Sequence, residues 1–336
     1  MKDEIRMAHG SGGSVMAKLI SGLFMAHFDN PWLNENSDSA VFGIDGREVA
    51  MTTDSFVVDP LFFPGADIGK LAVCGTLNDL AVAGAKPQFM SAAFILEEGL
   101  PLDILEQVVI SMARQLKVSG VKIVTGDTKV VNRGKCDKLF INTTGVGKIE
   151  ERFRHIHTAK NVKAGDRLII NGTLGDHGIA VLLAREKFSF RSSIQSDCAD
   201  LYPMISGVLE LFPCIAFIRD ATRGGLAAIL HELSLKTGLG IIIDEATLPL
   251  KPEVRGITEM LGLDPLYVAN EGKAVMVVPY EFADDVVSAL KQYPEGRDAA
   301  IIGKISPDFK EVILETNSGG RRILDHLSGD LLPRIC

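Results

Sequence analysis

Four aspartates stand at positions where a metal and phosphate site is commonly built. Asp54 follows Thr-Thr, Asp79 follows Asn78, Asp127 lies in Gly-Asp-Thr, and Asp220 opens Asp-Ala-Thr-Arg-Gly-Gly. Ligands bind at the carboxyl ends of strands in open α/β sheets, and Mg²⁺ held by carboxylates and substrate phosphates relieves the repulsion between converging carboxylates. Any one of these residues could instead cap a helix or form a turn. The set of four predicts a magnesium site.

Two glycine-rich segments, residues 9–13 and 172–178, could present backbone N–H groups to phosphate. Each could equally be an ordinary turn. Residues 65–71 resemble a P-loop but are one residue short and have no Ser or Thr after the lysine. No Gly-x-Gly-x-x-Gly follows a strand, so a Rossmann dinucleotide site is not expected. A nucleotide site would therefore be of another kind.

The chain ends on a cysteine, Cys336, after Leu-Leu-Pro-Arg-Ile. The five cysteines contain no Cys-x-x-Cys pair and are odd in number, which favours neither a disulfide framework nor a zinc site. Residues 326–336 have no apolar period and are predicted to form a mobile arm. Eleven residues can extend ~35 Å, enough to carry the terminal thiol to a site elsewhere on the molecule. We expect ATP-dependent chemistry on Cys336.

The elements that must position these residues alternate between helical and extended periods, which is typical of an α/β protein. Helices are predicted at residues 15–28, 68–83, 101–117, 180–186, 225–236 and 281–292. Strands are predicted at 49–53, 121–125, 139–146, 166–171, 216–219, 239–243, 274–279, 300–305 and 312–316. The polar stretch 147–165 separates an N-terminal domain (1–150) from a C-terminal domain (151–325), with the mobile tail following at 326–336.

Composition excludes several classes of protein. The net charge of −8 argues against nucleic-acid binding, and a hydrophobic content of 46% indicates a well-cored globular chain. No apolar run is long enough for a membrane span, and the charged N-terminus lacks the core of a signal peptide. The expected location is the cytoplasm.

Six segments resemble one known family. They are TTDSFVVDPLFFPGADIGKLAVCGTLNDLAVAGA, GDTKVV, GTLGDHG, DATRGG, ANEGK and the terminal PRIC. They are similar to the HypE family of hydrogenase maturation proteins, in the ATP-using superfamily of aminoimidazole ribonucleotide synthetase and selenophosphate synthetase. The resemblance spans essentially the whole chain. It implies the two-domain α/β fold of that superfamily, paired as a homodimer, with Mg-ATP bound near the dimer interface. In this arrangement residues 1–150 would be the domain for ATP binding and dimerisation.

The resemblance also implies a reaction. Cys336 would receive a carbamoyl group from the carbamoyltransferase HypF, ATP would drive dehydration of the S-carboxamide to an S-cyanate, and the cyanide would pass to iron on the HypC–HypD scaffold. Glu271 and Lys129 would move the protons. The expected nucleotide contacts are Asp54, Asn78, Asp79, Asp127, Thr128, Gly12 and Gly13, and the expected metal ligands are Asp54, Asp79, Asp127 and Asp220.

Two other functions fit parts of the pattern. A small-molecule synthetase of the same superfamily would make selenophosphate or a purine intermediate. A selenophosphate synthetase, however, carries a reactive Cys or selenocysteine near its N-terminus, and this chain has no cysteine before Cys74; a purine enzyme would have no use for a terminal cysteine. A non-catalytic adaptor would use the tail as a docking peptide only. ATP hydrolysis by the natural chain and by Cys336→Ala separates the three.

Overall fold

The structure is a computed structural model that describes residues 4–10, 13–185, 192–326, 332 and 334–336. Its strands are β1 Ala40–Ile44, β2 Arg47–Phe56, β3 Phe62–Phe63, β4 Ala66–Asp67, β5 Ala85–Glu97, β6 Lys122–Val131, β7 Leu139–Ile149, β8 Arg167–Ile170, β9 Phe217–Asp220, β10 Gly240–Asp244, β11 Ala274–Val278, β12 Ala300–Ser306, β13 Val312–Glu315 and β14 Arg321–Ile323. Its α-helices are α1 Ser14–Leu19, α2 Ala26–Phe28, α3 Pro31–Asn34, α4 Ile68–Val82, α5 Leu102–Ser119, α6 Asp176–Arg185, α7 Tyr202–Leu211, α8 Gly225–Thr237, α9 Pro252–Leu261 and α10 Ala283–Leu290.

Two sheets organise the described residues. A five-stranded sheet has the order β1-β2-β7-β5-β6, and a seven-stranded sheet has the order β14-β13-β10-β12-β8-β11-β9. Most neighbouring strands are antiparallel, and β5 with β6 and β10 with β13 are the parallel pairs. The α/β class expected from the sequence is confirmed. The expectation that the aspartates lie at strand ends holds for Asp220, the last residue of β9, and fails for the others, because Asp54 lies within β2, Asp127 within β6 and Asp79 within α4.

Helix α4 is the element that carries most of the site. The side chain of Asp67 caps it by accepting hydrogen bonds from the N–H groups of Gly69 and Lys70, which satisfies donors that the first turn leaves free. Nearly every residue of the helix is buried, because it packs against the five-stranded sheet on one side and against α5 and α7 on others. A helix that is buried on all sides is apolar over most of its surface. The few polar residues of α4 are therefore candidates for hydrogen-bonded or ligand-binding positions.

The first strands and helices differ from prediction in informative ways. The long strand β5 was missed because Pro87 interrupts its apolar pattern, and the structure accommodates that proline beside a register shift between Pro87 and Phe89. The helix predicted at 15–28 contains a π-helical segment, Ile20–Met25, between α1 and α2. Strand β6 runs to Val131, well beyond the predicted end at residue 125. No helix among the described residues is long and apolar enough to cross a membrane.

Candidate active site

A cavity of about 280 Å³ brings together side chains from both halves of the chain. It lies between β2 and α4 on one side and the segments that follow β9 and precede β11 on the other. Its lining is strongly acidic and includes the last residue of the chain. The lining residues are Met16, Asp38, Thr52, Thr53, Asp54, Ser55, Phe56, Gly75, Asp79, Asp220, Thr222, Arg223, Glu271 and Cys336.

Three carboxylates form the acidic centre of this cavity. One oxygen from each of Asp38, Asp79 and Asp220 lies within 4.8 Å of the other two. Burial raises the pKa of Asp79 well above its usual value, and the charges of Asp54, Asp220 and Asp38 raise it further. The pKa of Asp220 is likewise raised well above normal, first by burial and then by Asp38. Oxygen ligands at this spacing fit a divalent cation such as Mg²⁺, which would relieve the repulsion.

Asp54 lines the same cavity but stands outside this three-carboxylate group. Its pKa is raised by burial, an effect that Arg223 opposes and Asp38 reinforces. The cavity therefore contains three of the four predicted metal ligands together with one carboxylate, Asp38, that the sequence did not reveal.

Asp38 is held in place by a residue far along the chain. Its carboxylate accepts from Nε of Arg219 at 2.9 Å, and the same guanidinium lies 3.1 Å from Glu232 in an ion pair. The hydroxyl of Thr52 lies 2.8 Å from the Asp38 carbonyl and 2.6 Å from Oδ2 of Asp79. Nothing in the local sequence around Asp38 signals this role, because the partner residues come from β2, β9 and α8.

Glu271 reaches the cavity from a tightly clamped loop. The carboxylate of Asp197 accepts from the N–H groups of Glu271 (3.2 Å) and Gly272 (3.3 Å) and from Nζ of Lys273 (2.8 Å). A Cβ on Gly272 would lie 1.9 Å from the carbonyl oxygen of Asp197, so only glycine fits there. Burial opposes ionisation of Asp197, but Lys273 and His177 outweigh it and hold the pKa below its usual value.

The Glu271 carboxylate itself is almost fully buried, and within the described residues its Oε1 has no hydrogen-bond partner. Burial raises its pKa well above the usual value, and Cys198 and the nearby carboxylates of Asp220, Asp197 and Asp54 raise it further. A buried carboxyl with a raised pKa and an unpaired oxygen is a candidate for proton exchange with a bound substrate.

Cys336 is docked in the cavity beside Arg223. Nη2 of Arg223 donates to Sγ at 2.9 Å, and Nη1 of the same residue donates to the carbonyl of Gly10 at 2.7 Å. Burial raises the pKa of the Cys336 thiol to about 11, although Arg223 acts to lower it. The thiol is therefore kept protonated in this position. The segment DATRGG carried Arg223 into the resemblance, but its role as the partner of the thiol was not foreseen.

Asn78, an expected nucleotide contact, is not among the residues that line the cavity. Its Nδ2 donates to the carbonyls of Ala199 (3.0 Å) and Glu271 (3.2 Å), and its Oδ1 accepts from the N–H of Leu201 (2.8 Å). Both polar atoms of the side chain are therefore engaged by backbone groups. Its role is to fix the backbone that carries Glu271.

Asp127, Thr128 and Lys129 are exposed on β6, and a single chain does not bring them to the carboxylate cluster. The strand registers pair Asp127 with Ala93, Ala93 with Asn142, and Asn142 with Ser55. Side chains in one such row share a face of the sheet, whereas Asp54, the neighbour of Ser55, points to the opposite face. Lys129 instead forms an exposed ion pair with Asp127 at 2.7 Å.

The two glycine-rich segments predicted to bind phosphate lie in different parts of the structure. Gly12 lies outside the described residues, and Gly13 precedes α1 and lines a separate cavity of about 530 Å³. Residues 172–178 lead into α6, where His177 contacts the docked tail through the carbonyl of Ile335. The only signal of His177 in the sequence is the glycine-rich segment 172–178 in which it lies.

Comparison with known proteins identifies the family. Residues 36–149 match the AIR synthase related protein N-terminal domain, and residues 163–314 match the AIR synthase related protein C-terminal domain. The carbamoyl dehydratase HypE of Escherichia coli K12 is 50% identical over 340 residues, covering 99% of this chain and all of that protein. The chain belongs to the HypE carbamoyl dehydratases.

Solved structures agree with this assignment. A HypE–HypF complex contains a chain that superposes with a TM-score of 0.86 at 46% identity, over 92% of this chain and 99% of that one. A HypE structure in complex with ATP superposes with a TM-score of 0.82 at 44% identity, over 99% of this chain and the whole of that one. The family resemblance inferred from the sequence motifs is confirmed, as is the two-domain fold.

Proposed function

We propose that this chain uses ATP to dehydrate an S-carboxamide on its own Cys336 to an S-cyanate, during maturation of a [NiFe]-hydrogenase. The observation that carries the proposal is the location of Sγ in the cavity that also holds the carboxylate cluster and Glu271. A small-molecule synthetase would have no reason to hold its own C-terminus in that position.

The proposed chemistry balances in two steps. The carboxamide oxygen attacks the γ-phosphorus of ATP, releasing ADP, and the nitrogen gives up one proton. Phosphate then leaves with the former carboxamide oxygen while the nitrogen gives up its second proton, which leaves the C≡N group on sulfur. Phosphoryl transfer of this kind needs positioning and charge neutralisation more than covalent help.

Asp38, Asp79 and Asp220 would hold the magnesium ion, with Asp54 at the edge of the same site. A bound Mg²⁺ supplies positive charge to the phosphates of the nucleotide. Glu271 would accept a proton from the carboxamide nitrogen, because its free oxygen and raised pKa suit that task. Arg223 would hold the sulfur in register with these groups.

The sequence assigned Lys129, Asp127 and Thr128 to the site, and we propose that a homodimer reconciles this with their exposure. The row of Met51, Val146 and Phe89 crosses the uncovered face of the five-stranded sheet, with Met51 and Phe89 more than 40% exposed. A second copy packed on this apolar face would put residues 127–129 at the subunit boundary, beside Thr53 and Ser55 on the rim of the cavity.

We further propose that HypF supplies the carbamoyl group and that the HypC–HypD scaffold takes the cyanide, with all steps in the cytoplasm. The similarity to a HypE chain solved in complex with HypF supports the first partner. We also propose that the domains divide between residues 150 and 151, as the sequence predicts. The ATP contacts would then lie mainly in the N-terminal domain.

The test supplies ATP, carbamoyl phosphate and HypF and then measures the mass of the C-terminal peptide. The natural chain should give a carbamoyl adduct and then a product lighter by one water. Glu271→Gln should bind nucleotide and accumulate the adduct, whereas Glu259→Gln, a change at an exposed glutamate of α9, should behave as the natural chain does. Normal dehydration by Glu271→Gln would refute the role of Glu271, and an adduct that the natural chain never dehydrates would refute the activity.

A further inference from the structure

The docked end of the chain is recognised through its main chain. Main-chain oxygens of three consecutive residues each accept a hydrogen bond from the body of the protein. The terminal carboxylate of Cys336 accepts from Val57 N–H (3.0 Å), the carbonyl of Ile335 from His177 Nε2 (2.8 Å), and the carbonyl of Arg334 from Asp59 N–H (3.3 Å). Arg185 Nη2 adds a second bond to the Arg334 carbonyl at 2.8 Å. Because Val57 and Asp59 both donate to the tail, the segment that contains them runs alongside the docked residues.

Side chains of the tail add contacts on both sides of this backbone. Ile335 is buried in the apolar cluster that also contains Phe63 and Cys198. Arg334 donates from Nε to the Val57 carbonyl at 3.2 Å and pairs with Asp137 at 2.5 Å. Arg334 adopts a left-handed backbone conformation, with φ of 57°, which is uncommon for a residue other than glycine. The surrounding contacts must therefore over-determine the docked conformation.

His177 differs from the other donors because it is a side chain that is buried within the body. Its Nδ1 lies 2.8 Å from Oγ of Ser196, and the same Oγ accepts from the N–H of Cys198 at 3.1 Å. A carbonyl can only accept, so Nε2 carries the proton toward Ile335 and Nδ1 accepts the Ser196 hydroxyl proton. Burial lowers the pKa of His177, which favours this neutral form. When the tail leaves, the Nε2 donor loses its partner.

We propose that His177 is a positioning residue that sets the register of the tail, fixing the carbonyl of Ile335 so that Sγ of the next residue meets Arg223. One residue of an extended chain spans about 3.3 Å, so a slip of one position would remove the sulfur from the 2.9 Å contact with Arg223. The purpose of this register rests on the proposed function, but the docking itself is measurable without ATP or any partner.

The experiment measures how fast iodoacetamide alkylates Cys336 in the full-length chain at pH 8, read from the mass of the C-terminal peptide. His177→Leu keeps an apolar side chain in the buried position and removes the donor. It should raise the alkylation rate about tenfold, the factor that corresponds to about 1.4 kcal/mol. His177→Gln places an amide N–H within reach of the same carbonyl and should restore a rate close to that of the natural chain.

The chain offers a matched control in His155, whose Nε2 lies 2.9 Å from the carbonyl of Ile215, remote from the tail. His155→Leu should leave the rate at Cys336 unchanged. The proposal is overturned if a folded His177→Leu protects Cys336 as well as the natural chain does, if His155→Leu raises the rate equally, or if His177→Gln reacts as fast as His177→Leu.

Ser196→Ala keeps the test decisive if His177→Leu does not fold. It removes the hydroxyl that orients Nδ1 while changing little volume, and it should raise the alkylation rate several-fold. An unchanged rate in Ser196→Ala would then count against the proposal. Failure of the dehydratase proposal would appear only in the ATP-dependent mass assay, so the two outcomes remain distinguishable.

Discussion

Replacing Asp79 by Asn should make the chain more stable without magnesium and less responsive to it. The Asp79 carboxylate accepts a hydrogen bond from the Thr52 hydroxyl, and its pKa is raised first by burial and then by the charges of Asp54, Asp220 and Asp38. An acid whose folded pKa is raised contributes stability below its unfolded pKa of about 3.9. That stability is lost as the pH rises through the folded pKa.

The size of the expected increase in stability follows from the cost of burying the Asp79 charge. Relieving an uncompensated buried charge is worth at least about 1 kcal/mol, and 1 kcal/mol shifts the melting temperature of a domain of ~150–250 residues by about 2–4 °C. Asp79→Asn should therefore raise Tm by at least about 2–4 °C at pH 7.5 in EDTA. The gain should shrink as the pH is lowered, because the raised pKa of Asp79 makes its carboxyl take up a proton at a higher pH than an ordinary aspartate does.

Magnesium should act in the opposite direction. A cation present at 100 times its Kd stabilises the folded chain by about 2.7 kcal/mol, which is about 5–10 °C in Tm. The natural chain should show this shift between EDTA and Mg²⁺, and Asp79→Asn should lose most of it because one of three ligands is neutral.

Thermal unfolding by scanning calorimetry checks both halves of the prediction. Asp45→Asn is the matched control, since Asp45 is exposed and its left-handed φ of 49° suits asparagine equally well. It should change neither the Tm in EDTA nor the magnesium shift. A lower Tm for Asp79→Asn in EDTA together with an unchanged magnesium shift would show that the cluster is not a cation site.

Three further predictions concern Cys336 in the docked tail, Asn78 beneath the loop that carries Glu271, and Phe89 on the proposed dimer face. Alkylation of Cys336 in the folded chain should rise about tenfold per pH unit from pH 8 to 10 without levelling, because its thiol pKa is about 11; a plateau by pH 9 would contradict the docked environment. Asn78→Ala should lower the free energy of unfolding by about 3 kcal/mol, measured with urea, because it leaves three buried backbone groups unpaired, and a loss below about 1 kcal/mol would refute that role. Phe89→Asp should weaken the proposed homodimer by about 10²–10⁴-fold, from about 1.5–3 kcal/mol of aromatic burial in each of two copies. Light scattering after size exclusion would detect this change, with Leu211→Asp on the exposed end of α7 as the control that should remain dimeric.

The sequence predicted well those features that depend on local pattern. Helix α4 was placed to within one residue because its apolar content is continuous and Asp67 marks its start. Asp54, Asp79 and Asp220 were found because each sits in a short polar motif after apolar residues, and Cys336 was found because it is terminal. All of these depend on neighbours within a few positions.

Features that depend on pairing between distant segments were missed. Whether Asp127 shares a face with Asp54 is decided by the registers of β6, β5, β7 and β2, and a shift of one residue in any of them would reverse the answer. The carboxylate of Asp38 is held at the site by an ion pair with Arg219 on β9. The residues next to Asp127 and Asp38 in the sequence indicate neither the sheet face of the first nor the ion pair of the second.

The position of Cys336 bears on how the arm must work. Accepting a carbamoyl group requires a nucleophilic thiolate, but in the docked position burial and Glu271 raise the thiol pKa to about 11 in spite of Arg223. The docked site is thus poor for loading the sulfur. It is well suited to the following step, since an S-carboxamide carries no charge on sulfur and needs only Glu271 and the phosphoryl donor close by. Loading outside the cavity and dehydration inside it would each occur where the electrostatics favour them. That division gives the arm a physical reason to move, and it makes the hydrogen bonds at Val57, His177 and Arg185 the contacts that must break and re-form in every cycle.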